Sequence, residues 1–120
     1  ISWLPPEECF KLNTDESCVT EVMRGGGVLH DHSGSVVLDF SAHYGCGSSV
    51  QVEALALLTG LSVCKKRSLN VTQVETDSKI VQDALLGRGS TPWSITYTIR
   101  QCKALLLGRV RETHTWSEGR

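Results

Sequence analysis

No uninterrupted apolar run in this 120-residue chain approaches the roughly 20 residues that a membrane-spanning helix needs, which excludes a helical span. A basic n-region and an apolar h-region are also missing. The N-terminus opens Ile1-Ser2-Trp3-Leu4-Pro5-Pro6, so no secretory signal is read and an intracellular location, cytoplasmic or nuclear, is expected. No CxxC pair and no Cys/His spacing of a zinc site occurs among Cys9, Cys18, Cys46, Cys64 and Cys102. Five widely spaced cysteines therefore read as reduced, partly buried thiols rather than a disulfide or zinc framework. Excess charge of either sign is absent too. With 12 basic and 13 acidic side chains the net charge is -1, so bulk electrostatics cannot hold a nucleic acid and any such contact must be local. The sequon Asn70-Val71-Thr72 reads as part of a strand rather than a sugar site.

What is present is ordinary globular material, 40% hydrophobic and 21% charged, enough for one domain with its own core. Residues 1–8 read as an extended lead-in and 9–120 as a single domain. Phe10 to Asp15 alternates apolar and polar as a strand does. Gly25-Gly26-Gly27 leads into Val28-Leu29-His30, and His30 to Ser35 supplies turn chemistry before Val36 to Ser41, which predicts an antiparallel meander. Val50 to Val63 has helical spacing, with Ser48 or Ser49 as cap and Lys65-Lys66-Arg67 at the end, where cations suit the helix dipole. Asn70 to Thr76 predicts a fourth strand. A short helix through Lys79–Leu86 follows, capped by Asp77 or Ser78 and broken by Gly87 to Pro92. From Trp93 to Leu107 a second long helix is predicted, with Trp93, Ile95, Tyr97, Ile99, Cys102, Leu105 and Leu106 as its apolar side chains. After Gly108, Arg109 to His114 reads as a last strand. The order β-β-β-α-β-α-α-β implies an α/β fold in which a mixed sheet is flanked by helices.

Three carboxylates stand where packing alone does not place them. Asp15 ends the first predicted strand and Asp77 the fourth, at a strand-to-helix junction. Glu53 shares the apolar face of its helix with Ala56, Leu57, Gly60 and Leu61. Taken singly, each has a structural explanation: a turn, an N-cap, a charge near a helix N-terminus. Taken together, they form a set of hard oxygen ligands suited to Mg2+.

These residues belong to longer runs. Trp3-Leu4-Pro5-Pro6, Phe10 to Asp15, Gly26 to Asp31, Ser33-Gly34, Phe40-Ser41, Val52 to Leu61 and Val74 to Ser78 follow one another at consistent spacings over essentially the whole chain. In these runs the chain resembles the plant ribonuclease H-like domains related to retroelement reverse transcriptases. The resemblance implies the ribonuclease H-like fold, a five-stranded mixed sheet of an antiparallel meander plus parallel strands, flanked by helices. It implies cleavage of the RNA strand of RNA–DNA hybrids by two Mg2+ ions, with Mn2+ as a substitute. Asp15 matches the aspartate that bridges the two ions. Glu53 matches the helix glutamate that ligates a metal near the RNA 2′-hydroxyl, and Asp77 the aspartate that helps position water. His114 matches a late-loop histidine that assists proton transfer or product release. Lys65, Lys66 and Arg67 lie where relatives with a basic extension grip the hybrid.

Three departures accompany the likeness. Glu16 stands where the family usually has glycine, and Ser117 where it has arginine. The family's final helix, with a fourth metal-binding aspartate, would lie past Arg120. An alternative is therefore an impaired domain that binds RNA, a hybrid or a protein partner, or self-associates through an uncovered C-terminal sheet edge.

Overall fold

The computed structural model describes residues 10–19, 22–45, 47–106 and 116–117. Strands β1 (Phe10–Val19), β2 (Val22–His30) and β3 (Val36–Gly45) form the expected antiparallel meander, each running longer than its alternating core. The β2–β3 turn is held by Asp31. Its Oδ1 accepts from the Ser33 hydroxyl at 2.7 Å and from the Ser33 and Ser35 amides at 2.9 Å. These bonds, the Ser33 hydroxyl first, keep the Asp31 carboxyl below its ordinary pKa. Helix α1 (Ser49–Lys66) then crosses to β4 (Val71–Thr76), which lies parallel to β1. Helices α2 (Lys79–Leu86) and α3 (Trp93–Leu106) follow. The two-residue stretch β5 (Trp116–Ser117) pairs parallel with β4 at the edge, giving the order β3-β2-β1-β4-β5.

The sheet is mixed, as expected, but the expectation of five full strands is corrected. Four strands are six to ten residues long, and among the described residues only Trp116–Ser117 pairs beyond them. The strand expected at Arg109 to His114, the lead-in 1–8 and the end of the predicted helix at Leu107 lie outside the described residues. None of the described helices is long and apolar enough to cross a membrane.

Helix boundaries follow local chemistry. Ser48 caps α1 in a capping box: its hydroxyl accepts from the Gln51 amide at 3.2 Å, and its own amide donates to Gln51 Oε1 at 2.9 Å. Lys65 and Lys66 occupy the last turn, and Arg67 is the C-cap. For α2 the cap is Ser78, not Asp77, because the Ser78 hydroxyl accepts from the Val81 amide at 3.2 Å. Gly87 ends α2 in the left-handed conformation at φ 74°.

Leu12, Leu29, Leu57, Val74 and Ile95 are fully buried where the sheet meets α1 and α3. Each such aliphatic side chain contributes roughly 1.5–3 kcal/mol of burial. Cys64 and Cys102 are buried, and burial pushes the Cys102 thiol up to about 12, so it packs as an unreactive apolar group. One expectation fails here. Of the apolar set on α3, Ile95, Ile99, Cys102 and Leu106 are buried, but Trp93 is 90% exposed and Tyr97 71%.

The seat of α1 on the sheet is unusually close. A Cβ on Gly25 would lie 2.8 Å from Ala56 Cβ and 2.9 Å from the Tyr44 ring; one on Gly60 would lie 3.0 Å from Leu12 and Phe40. Tyr44 closes this contact, sharing a 2.7 Å hydrogen bond with the Thr59 hydroxyl. Since Ala56 cannot move without its helix, Gly25→Ala is expected to destabilise the fold by about 1–3 kcal/mol, read from the midpoint of urea denaturation.

Candidate nuclease site

The parallel register of β1 and β4 builds the site. Leu12 pairs with Val74, Asn13 with Glu75 and Thr14 with Thr76. The next residue in each segment is an aspartate: Asp15 continues β1, Asp77 follows the last residue of β4, and both line one groove. Opposite Asp15, on the other neighbour, is Gly26. Asp15, Asp77, Glu16, Gly26, Arg24 and Ser41 are among the residues that line a groove of about 450 Å3.

Glu53 reaches this point from the helix side. It is 6% exposed, and Thr76 Oγ1 donates to its Oε2 at 3.3 Å. Thr76 is a junction. Its carbonyl accepts from Gln82 Nε2 at 3.0 Å, and its hydroxyl oxygen accepts from the Ser78 amide at 3.3 Å. One threonine thus ties the end of β4 to α1 and to the start of α2.

Glu16 joins the same cluster. Its Oε1 accepts from Ser49 Oγ at 2.8 Å, one helical turn before Glu53, and its amide donates to Asp15 Oδ1 at 2.8 Å. Burial is the first cause that raises the Glu53 carboxyl above its ordinary pKa. The Thr76 hydrogen bond opposes this, and the nearby charges of Glu16 and Asp15 add to it.

Among the described residues, no group of three or more His, Cys, Asp or Glu side chains is close enough to hold a metal ion. In donor type, Asp15, Glu53 and Asp77 offer the carboxylate oxygens that a hard divalent cation takes, and the described hydrogen-bond partners of the buried Glu53 are the neutral hydroxyls of Thr76 and Ser78.

The structure therefore brings Asp15, Glu53 and Asp77 to one end of the sheet, and sets Lys65, Lys66 and Arg67 elsewhere. All three basic residues are exposed at the far end of α1, roughly 18–21 Å along its axis from Glu53. His114 lies outside the described residues. Sequence reasoning missed Thr76, Gln82 and Ser49. The first was accessible from strand period, which puts Thr76 on the same face as the core residue Val74.

The sign of the Glu53 shift gives a test. Between the ordinary glutamate pKa and the raised one, the folded chain binds more protons than the unfolded chain, so stability falls as pH rises through that window. Glu53→Gln in chelator is expected to be more stable than the parent at pH 7. The difference should vanish below the ordinary glutamate range, measured by urea denaturation at both pH values.

Comparison with known proteins agrees with this architecture. The sequence profile of the reverse transcriptase-like family matches residues 13–117. No curated protein matches significantly. Among solved structures, RNase H1 from the archaeon Halobacterium salinarum is 19% identical with a TM-score of 0.76, over 91% of this chain and 82% of that one. The N-terminal RNase H domain of a Mycobacterium tuberculosis protein is 18% identical with a TM-score of 0.79, over 91% and 85%. LC11-RNase H1, isolated from compost and solved in complex with an RNA/DNA hybrid, is 17% identical with a TM-score of 0.78, over 92% and 86%. At such identities the likeness establishes the fold, and it shows no plant origin for this chain. With four long strands in the ribonuclease H-like arrangement and a profile match over residues 13–117, the chain belongs to the reverse transcriptase-like family.

Proposed function

We propose that this chain is an intracellular, divalent-metal-dependent nuclease that cuts the RNA strand of RNA–DNA hybrids. The observation that carries the reading is the groove at the end of β1 and β4, lined by Asp15 and Asp77, with the buried Glu53 fastened to Thr76, the last residue of β4. The hybrid bound to LC11-RNase H1, a protein of the same fold, supports the substrate class.

Asp15, Glu53 and Asp77 would hold Mg2+, or Mn2+ in its place. Bound metal supplies activation of a water and stabilisation of the leaving oxygen in an in-line displacement. The protein's own contribution is positional. Thr76 fixes the Glu53 carboxylate, and α2 holds the end of β4 through Gln82. Gly26 leaves the groove floor without a side chain, so a sugar–phosphate backbone can approach the sheet. Arg24, on the groove wall, offers a cation to a phosphate. His114 has the proton-transfer role that the resemblance implies. Lys65, Lys66 and Arg67 would meet phosphates at a distance, since one duplex turn of roughly 34 Å reaches past them. Recognition of a hybrid by 2′-hydroxyls and shape suits a domain of net charge -1.

A second reading, an impaired domain that binds without cutting, is favoured by one specific feature. Glu16 adds a carboxylate beside Asp15 and Glu53 where a scissile phosphate must come close. Docking of a protein or a second copy at the C-terminal edge remains part of that reading.

Cleavage of a labelled hybrid in Mg2+, and separately in Mn2+, decides between them. The parent is expected to release product, and Asp77→Asn to lose roughly two orders of magnitude or more in rate. Hybrid binding by folded parent, without product in either metal, would establish the second reading instead.

A further inference from the structure

The exposed face of α3 has no part in the groove. At 3.6 residues per turn, Trp93, Tyr97, Arg100 and Ala104 fall within an arc of about 60°. All four are exposed, while Ile95, Ile99, Cys102 and Leu106 take the opposite side into the core. Two aromatic rings and a guanidinium therefore stand in one row, the rings roughly 6 Å apart along the axis. Such large aromatic area left in water is costly, and a monomer that needed it only for folding would bury it.

Charge selects the class of occupant. Helix α3 carries Arg100 and Lys103 and no acidic residue, and Arg88 stands in the loop before it. The C-terminal turns of α1 and α3 meet, since Leu61, Cys64 and Lys65 border the same small cavity as Leu105 and Leu106. The exposed Lys65, Lys66 and Arg67 thus lie near the C-terminal end of α3, on the side of Leu105 and Leu106, while Arg100 is the cation within the row itself. Aromatic platforms followed by cations are the means by which single-stranded nucleic acid is held without sequence preference: bases stack and phosphates pair. A chain of net charge -1 has no bulk attraction for a polyanion, so stacking has to supply part of the affinity.

We propose that the exposed face of α3 binds single-stranded nucleic acid, with two bases on Trp93 and Tyr97 and the following phosphate on Arg100. The choice of a polynucleotide over a protein partner rests on the ribonuclease reading; the surface lies apart from the groove. A strand left unpaired beside a hybrid is the form such a substrate would take.

The test uses fluorescein-labelled 12-nucleotide RNA and DNA single strands and the matching hybrid. Anisotropy is followed in chelator at two salt concentrations, for the parent and for Trp93→Ala, Tyr97→Ala and Arg100→Ala. Each ring variant is expected to weaken single-strand binding roughly tenfold or more with little change in salt dependence. Arg100→Ala should lower the salt slope by about one, and Trp93→Phe should restore most of the affinity lost in Trp93→Ala. Circular dichroism confirms that the variants are folded. Absent single-strand binding by the parent, or ring variants that bind as the parent does, overturns the proposal. So does concentration-dependent association that Trp93→Ala abolishes, which would give the face to a second copy. Hybrid cleavage by the same parent sample separates the two readings. Cleavage without single-strand binding removes only this inference, and single-strand binding without cleavage removes only the nuclease.

Discussion

The close seat of α1 on β2 is the contact on which the rest of the arrangement depends. Gly25 has no side chain where the helix presses with Ala56, and Gly60 has none where Leu12 and Phe40 come up from the sheet. This lets the helix backbone approach the sheet more nearly than larger residues would allow. Glu53 lies one turn before Ala56 on the same buried face. Were α1 held further away, its carboxylate would not reach the Thr76 hydroxyl, and the acidic end of the sheet would lose its helix-borne member. Small residues at the packing interface and a carboxylate at the site are thus two consequences of one distance.

That placement works against folding. Glu53 is almost fully buried and near two other negative side chains, a combination that favours its protonated form. The surrounding structure absorbs the cost through hydroxyls. Thr76 donates to Glu53, and Ser49 donates to Glu16 at the start of the same helix. Neutral donors hold the carboxylates in place without cancelling their charge, which is what a cation site requires and what a structural ion pair would defeat. Glu16 is informative in this respect. Its side chain is drawn to the N-terminal turn of α1, where negative charge is favourable, so a residue that departs from the family pattern is accommodated by the fold.

Much of this was legible in the sequence, where short-range physics dominates. The meander followed from alternation and from the turn chemistry of His30 to Ser35, and α1 from its period and a cap at Ser48 or Ser49. Glu53 stood out because a carboxylate on an apolar stripe has few innocent explanations. What was not legible depends on tertiary contacts. Whether Asp77 or Ser78 caps α2 turns on which oxygen meets the Val81 amide, and both residue types are good caps. Trp93 and Tyr97 were placed with the core because hydrophobicity alone cannot say which side of a two-sided apolar helix meets a neighbour. On α3 the aliphatic side was buried and the aromatic side left out. The register that brings Thr14 beside Thr76, just before the two aspartates, is invisible in either strand alone, because parallel pairing joins segments about 60 residues apart.

The two sides of the molecule divide the work by charge. Around the groove the titratable groups are mainly acidic, which suits the proposed metal chemistry and would repel the phosphates of the proposed substrate. Any grip on a polyanion has to be set apart from that field. The exposed cations at the α1 terminus are set apart in this way, by more than the roughly 10 Å over which salt screens charge. At that separation the basic and acidic regions hardly neutralise each other, so a chain of nearly zero net charge can hold cations at one end and offer anchors for phosphate at the other. Near-neutrality here reflects two opposed local charges rather than the absence of either.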